Sequence, residues 1–148
     1  MSGRCATNPD ATVLAFDFGT RRIGVAIGNT RTRMAHPLRT IDAANADARS
    51  ESIAALRDEW RPEQLVVGLP VHADGKEHAM TARARAFARD LERRFALPVA
   101  LVDERYSSEI ARQALAASGR GSRGDRGLRD QVAAQIILQA WFDEPHDA

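Results

Sequence analysis

The chain has 148 residues, 44% of them hydrophobic and 28% charged, with a formal net charge of +1, which fits one globular domain with a single core and gives no overall electrostatic footprint for nucleic acid. No stretch approaches the roughly 18 uninterrupted apolar residues of a membrane span, and Met1–Asp10 lacks the apolar core of a signal peptide, so a cytoplasmic protein with no membrane partner is expected. Cys5 is the only cysteine and lies in that polar leader, which excludes a disulfide and a cysteine-based metal site.

In chain order, residues 1–11 read as a disordered leader and Thr12 to Phe16 as a strand. Its apolar residues do not alternate with polar ones, so it is predicted to be buried on both faces. Asp17 closes that strand and Gly19 lets the backbone turn. Thr20, Arg21 and Arg22 set a hydroxyl and two guanidinium groups beside the carboxylate, and Ile23 to Gly28 returns as a partner strand. Ala35 to Ile41 is a third strand, placed at a sheet edge by Pro37. Asp47 to Trp60 carries Ile53, Leu56 and Trp60 at helical spacing and stops before Pro62. Leu65 to Leu69 is a short buried strand stopped by Pro70.

A long helix is predicted from about His78 to Phe95, with Met80, Ala84, Phe87, Leu91 and Phe95 as its apolar stripe and its arginines on a solvated face. Pro98 to Val102 is the fifth strand, and Ser107 or Ser108 caps a helix running to about Ser118. The segment Gly119 to Gly127 reads as a loose loop, either a lid that grips phosphate or a plain connector. The last helix, about Leu128 to Phe142, is expected to bury Val132, Ala133, Ile136, Ile137 and Ala140, followed by a short tail at 144–148. Lys76 is the only lysine among 21 basic residues, and arginines cluster at 21–22, 31–33 and 120–129, where their planar forks suit phosphate.

Three strands before the first helix rule out a simple β-α alternation. The order suits a mixed five-stranded sheet with helices on both faces, its first three strands antiparallel and its last two parallel to the first, which is the ribonuclease-H-like α/β topology. In that arrangement strands one, four and five end on one sheet edge, the edge that ligands favour. Asp17 ends there, and so do Asp103 and Glu104, of which strand alternation allows only one to turn toward Asp17. Spacing does not choose between them. Asp130 falls in the first turn of the last helix, where the helix dipole alone would favour an acid. Three converging carboxylates repel one another unless divalent cations neutralise them, and oxygen-only donors select Mg²⁺ or Mn²⁺. Two such ions about 4 Å apart support hydrolysis of a phosphodiester.

The runs Ala15-Phe16-Asp17-Phe18-Gly19-Thr20-Arg21-Arg22-Ile23-Gly24, Val66-Val67-Gly68-Leu69-Pro70, Asp103-Glu104-Arg105-Tyr106-Ser107-Ser108 and Asp130-Gln131-Val132-Ala133-Ala134-Gln135 resemble the YqgF family, also called RuvX. Its members are relatives of RuvC-type Holliday-junction resolvases and carry the provisional description pre-16S rRNA nuclease. The resemblance spans about residues 12 to 143 and implies a ribonuclease-H-like nuclease domain in the cytoplasm that trims the 5′ end of pre-16S rRNA, with ribosomal precursor particles as partners and branched DNA as the competing substrate. It makes Asp17, Glu104 and Asp130 the catalytic, metal-holding acids, and so picks Glu104 over Asp103 by analogy. Thr20, Arg21, Arg22, Arg105 and Arg129 are the expected substrate contacts. Two departures stand out: Arg126 and Arg129 replace lysines usual before the last acid, and Gly68 stands where the resolvases carry an acid.

The remaining candidates read as structural. His36, His72, His78 and His146 have no ligand spacing, and Trp60, Trp141 and Phe142 suit helix packing better than base stacking. The Asp-Phe-Gly-Thr turn is also similar to the phosphate loop of actin-like ATPases and sugar kinases, but those enzymes close two such domains around a nucleotide. A non-catalytic nucleic-acid binding module is the other rival, and retention of all three acids argues against it.

Overall fold

A computed structural model describes residues 11–70, 78–103 and 126–144. Its elements are β1 (Thr12–Asp17), β2 (Arg22–Asn29), β3 (Met34–Asp42), α1 (Ala46–Trp60), β4 (Gln64–Leu69), α2 (Ala79–Phe95), β5 (Val99–Asp103) and α3 (Arg126–Asp143). The five strands form one sheet in the order β3-β2-β1-β4-β5. β1, β2 and β3 run antiparallel, while β4 pairs parallel with both β1 and β5. This is the expected ribonuclease-H-like topology. The predicted helix at 107–118, the residues from Glu104 through 125, the leader at 1–10 and the tail at 145–148 lie outside the described residues.

Along β1 the side chains alternate between two cores. Leu14 and Phe16 join Leu56 of α1 and Phe87 and Leu91 of α2 on one face. Val13 and Ala15 join Ala134, Ile137 and Leu138 of α3 on the other. Burial on both faces is why the strand shows no polar alternation. Ala11, counted with the leader in sequence, is fully buried and its N–H donates to Thr30 Oγ1 at 3.0 Å, so it packs with the folded domain.

β3 is an edge strand, as Pro37 predicts. Arg39 faces Val25 and Pro37 faces Ala26, so Leu38 bulges out of the ladder at the proline. The outer backbone groups of this edge are taken up by α3. Gln139 Oε1 accepts from Ala35 N at 3.0 Å, Gln135 Nε2 donates to Ala35 O at 3.0 Å, and Gln139 Nε2 donates to Arg33 O at 3.0 Å. Gln131, Gln135 and Gln139 recur every four residues and form one polar stripe, which sequence reading passed over. Gln139→Leu removes an acceptor and a donor from this edge, and is expected to lower stability by about 1–2 kcal/mol in urea unfolding, mostly the cost of stranding the partly buried Ala35 N–H.

Several sequence expectations shift. Trp60, predicted to pack, is 38% exposed, whereas Trp141 and Phe142 are buried with ring centroids 5.5 Å apart. On α3 the deepest residues include Ala134 and Leu138, while Val132 and Ile136 are only half-buried, because the helix faces the sheet through its 134–138–141 stripe. Arg33, counted with the phosphate-seeking clusters, instead serves the fold. It sits in the β2–β3 turn at φ 57°, and its guanidinium donates to the Phe142 carbonyl at the negative end of α3. His78 is the N-cap of α2, its Nδ1 accepting from Met80 N at 3.3 Å, and His36 is exposed on β3. The arginines at 83, 89, 93 and 94 lie on an exposed face of α2, two of them paired with Asp90, as a solvated face should. No helix among the described residues is long and apolar enough to cross a membrane.

Candidate functional site

Asp17 ends β1 and pairs with Gly24 across the antiparallel ladder, and Gly24 pairs in turn with Thr40 on β3. Strand alternation puts Asp17 on the face of Val13 and Ala15, the face that α3 covers. Gly24, Ala26 and Gly28 run down β2 on that same face as a track of small residues. The track is what admits the helix. A β-carbon at Gly24 would sit 1.9 Å from the Asp130 carbonyl oxygen and 3.0 Å from the Asp130 β-carbon, and one at Gly28 would sit 2.6 Å from the Phe142 ring.

Two polar contacts fix the first turns of α3 in place. Thr40 Oγ1 donates to the Gly127 carbonyl at 2.7 Å, and Gln131 Nε2 donates to Thr40 Oγ1 at 3.1 Å. Thr40 therefore anchors the helix one strand beyond Gly24. Since directly opposed β-carbons lie roughly 5 Å apart, Asp17 and Asp130 have their β-carbons within roughly 8 to 9 Å of each other.

Asp130 is engaged. Arg22 Nε donates to Asp130 Oδ2 at 2.6 Å, with the two side chains 37% and 22% exposed, a short charge-assisted bond in a half-buried setting. Arg22 belongs to β2 and lies beside Asp130, whereas sequence reading cast it as a phosphate contact alone. Asp130 is also not a first-turn acid. The helix starts at Arg126, inside the segment read as loop, so Asp130 is its fifth residue, and the dipole effect that would explain an acid there falls off within the first turn.

Of the other predicted residues, Thr20 and Arg21 are exposed in the β1–β2 turn and Arg129 is half-buried on α3. Asp103 closes β5 with the parity of Val99, which packs in the core under α1 and α2, whereas Val102 packs under α3. Asp103 is thus on the face away from Asp17. Glu104 and Arg105 lie outside the described residues, and among the described residues no group of three or more His, Cys, Asp or Glu is placed to hold a metal ion. Gly68 pairs with Val102 one step past the Phe16–Val67 pair, so the position next to Asp17 on β4 carries no side chain. Asp17 is therefore flanked on both neighbouring strands by glycine. An open depression of about 570 Å³, lined by Arg21, Arg22, Thr40, Asp42 and Ala44, adjoins these acids on the β3 side.

The model of a family described as "RuvX: Holliday junction resolvase" matches residues 11–144. A protein of Nitrosomonas europaea provisionally named pre-16S rRNA nuclease is 58% identical over 137 residues, covering 93% of each chain. One of Chromobacterium violaceum with the same name is 55% identical over 136 residues, covering 91% of this chain and 99% of that one. Among solved structures, T. thermophilus RuvC in complex with a Holliday junction substrate superposes with a TM-score of 0.54 at 18% identity, over 89% of this chain and 93% of that chain. The yeast mitochondrial Holliday junction resolvase Ydc2 does so with a TM-score of 0.55 at 10% identity, over 90% and 78%. At these identities the structures bear on the fold, which they share.

Proposed function

This chain belongs to the RuvX family, and from that premise we propose that it is a metal-dependent nuclease that hydrolyses phosphodiester bonds, acting on the 5′ end of pre-16S rRNA in the cytoplasm. The observation that carries the reading is the seating of α3 on Gly24, which sets Asp130 beside Asp17 on one face at the carboxyl end of β1. Chains 58% and 55% identical to this one carry the matching provisional name.

The donor set suits a hard divalent ion. Asp17 and Asp130 offer only oxygen, and no histidine or cysteine stands at that end of the α3 face among the described residues. Glu104 is the third donor in this reading, taken from the family resemblance, since Asp103 points to the face away from Asp17. Bound there, Mg²⁺ or Mn²⁺, as a pair of ions, would make water nucleophilic and stabilise the departing oxygen. The chain's own residues hold and aim. Arg22 keeps the Asp130 carboxylate oriented through Oδ2 and leaves Oδ1 for a ligand, while Arg21, Arg105, Arg129 and the Thr20 hydroxyl meet the phosphates of the substrate.

The test incubates the purified protein with precursor 16S rRNA, generic single-stranded RNA and a four-way DNA junction. Mg²⁺-dependent cleavage of the precursor, lost in Glu104→Gln with the melting temperature unchanged, is the expected result. Scission of the junction with the RNA left intact would transfer the assignment to a resolvase, and binding without scission of any substrate would reduce the chain to a binding module.

A further inference from the structure

The depression beside the acids carries, next to Arg21 and Arg22, an acid that the cleavage reaction does not use, Asp42. It lies on the face of α3 at the sheet end where Asp17 sits, because Arg22 opposes Asp42 and Gly24 opposes Thr40 in the β2–β3 ladder. From Asp17 to Thr40 is two strand spacings, roughly 10 Å. A nucleotide next to the one being cut falls within that reach.

Its walls are held in place and carry opposite charge. The Arg21 carbonyl accepts from Ala43 N at 2.7 Å, which ties the β1–β2 turn to the chain leaving β3. Arg21 is exposed, and its guanidinium makes no hydrogen bond or ion pair with a described residue. Arg22, by contrast, is committed to Asp130. Across the depression Asp42 Oδ1 accepts from Ala44 N at 3.1 Å, which fixes the carboxylate, and Oδ2 makes no hydrogen bond with a described residue. Thr40 and Ala44 complete the lining with small side chains.

A polyanion alone would not be met by an acid. A carboxylate facing a guanidinium across a volume of about 570 Å³ fits a ligand with both an anion and a hydroxyl or amine donor, and the size admits one nucleotide with room for solvent. A ribonucleotide has that pairing in its phosphate and its 2′-hydroxyl, and the 2′-hydroxyl is the group that distinguishes RNA from DNA.

We propose that this depression is a ribonucleotide subsite flanking the scissile phosphate, in which Arg21 holds a backbone phosphate and the Asp42 carboxylate accepts a hydrogen bond from a ribose 2′-hydroxyl. The inference rests on the nuclease reading and adds a source of sugar discrimination to it. It also separates two residues that sequence reading treated together: Arg21 serves the substrate and Arg22 serves Asp130.

The test measures binding of a labelled single-stranded RNA and its all-deoxy counterpart by fluorescence anisotropy, in EDTA and in Mg²⁺. Wild type is expected to prefer RNA by at least about tenfold, the worth of one hydrogen bond to a charged group. Asp42→Ala should reduce that preference to under about threefold by weakening RNA alone, and Arg21→Ala should weaken both polymers by the same factor. Because Asp42 also closes a turn, wild type is probed as well with RNA carrying single 2′-deoxy substitutions: one position should reproduce the loss, and should have no further effect in Asp42→Ala. Equal binding of RNA and DNA by wild type, an unchanged ratio in Asp42→Ala, or a deoxy effect that adds to that of Asp42→Ala each overturns the subsite. Cleavage of RNA alongside any of those results leaves the nuclease reading standing, whereas absence of both binding and cleavage in wild type removes the reading and the subsite together.

Discussion

Gly24→Ala is expected to destabilise the protein by about 3 kcal/mol, at the upper end of overpacking costs, and to lower its melting temperature by about 10 °C. The added carbon would lie 1.9 Å from a carbonyl oxygen of α3, and a backbone atom in the middle of a helix cannot turn aside as a side chain could. Relief requires the helix to lift from β2. Lifting it also strains the Thr40–Gly127 and Gln131–Thr40 bonds and pulls Asp130 from Asp17. The same variant should therefore lose any stabilisation by Mg²⁺, measured as the difference between melts in EDTA and in Mg²⁺. A melting temperature within about 2 °C of wild type would show that α3 is not seated on Gly24.

Asp130→Asn is expected to leave the fold in place and to cut Mg²⁺-dependent cleavage by about a thousandfold. Electrostatic stabilisation by a bound ion is worth several kcal/mol, and each 1.36 kcal/mol is a factor of ten in rate. Arg22→Ala should cost about ten- to a hundredfold, the range for a group that orients a metal-holding side chain. If Arg22 acts through Asp130, its removal has little further effect once Asp130 is neutral, so single-turnover rates of the double variant should match those of Asp130→Asn. Multiplication of the two losses would mean that Arg22 touches the substrate itself. In melts, Asp17→Asn should remove the Mg²⁺-dependent gain as Asp130→Asn does, because both acids serve one ion site in the proposed reading.

Much of the fold was legible because burial leaves direct marks on a sequence. The unalternating run in β1, the proline in β3, the proline after β4 and the 3.6-residue stripe of α2 each report one local constraint, and each element formed where its constraint placed it. Trp60 misled because helical spacing records which residues share a face, without recording how far a helix end projects beyond its neighbour. The α3 stripe was misjudged for a related reason. The apolar residues of that helix are broad enough to fit several rotations, and the glutamines at 131, 135 and 139, which choose among them by bonding β3, carry no local mark of that role.

The acids divide in the same way. Asp17 was singled out by its position after an apolar strand, and Asp130 by the run it opens, both of them features of nearby sequence. Whether Asp103 or its neighbour faces Asp17 was undecidable from flanking residues that are apolar on both parities. The packing of Val99 under α1 and α2, and of Val102 under α3, turned Asp103 away.

By itself, then, the sequence determined the element order, the double-sided burial of the central strands and the acids worth considering, because those depend on neighbours a few residues apart. Only the tertiary structure decided that Gly24 is the seat of Asp130, that Arg22 holds that carboxylate, and that a depression opens between Arg21 and Asp42. These contacts join residues up to 108 positions apart, as the Arg22–Asp130 bond does, and no local pattern encodes them. They exist because a track of missing side chains on one strand lets a helix approach closely enough for backbone and carboxylate to share the same space.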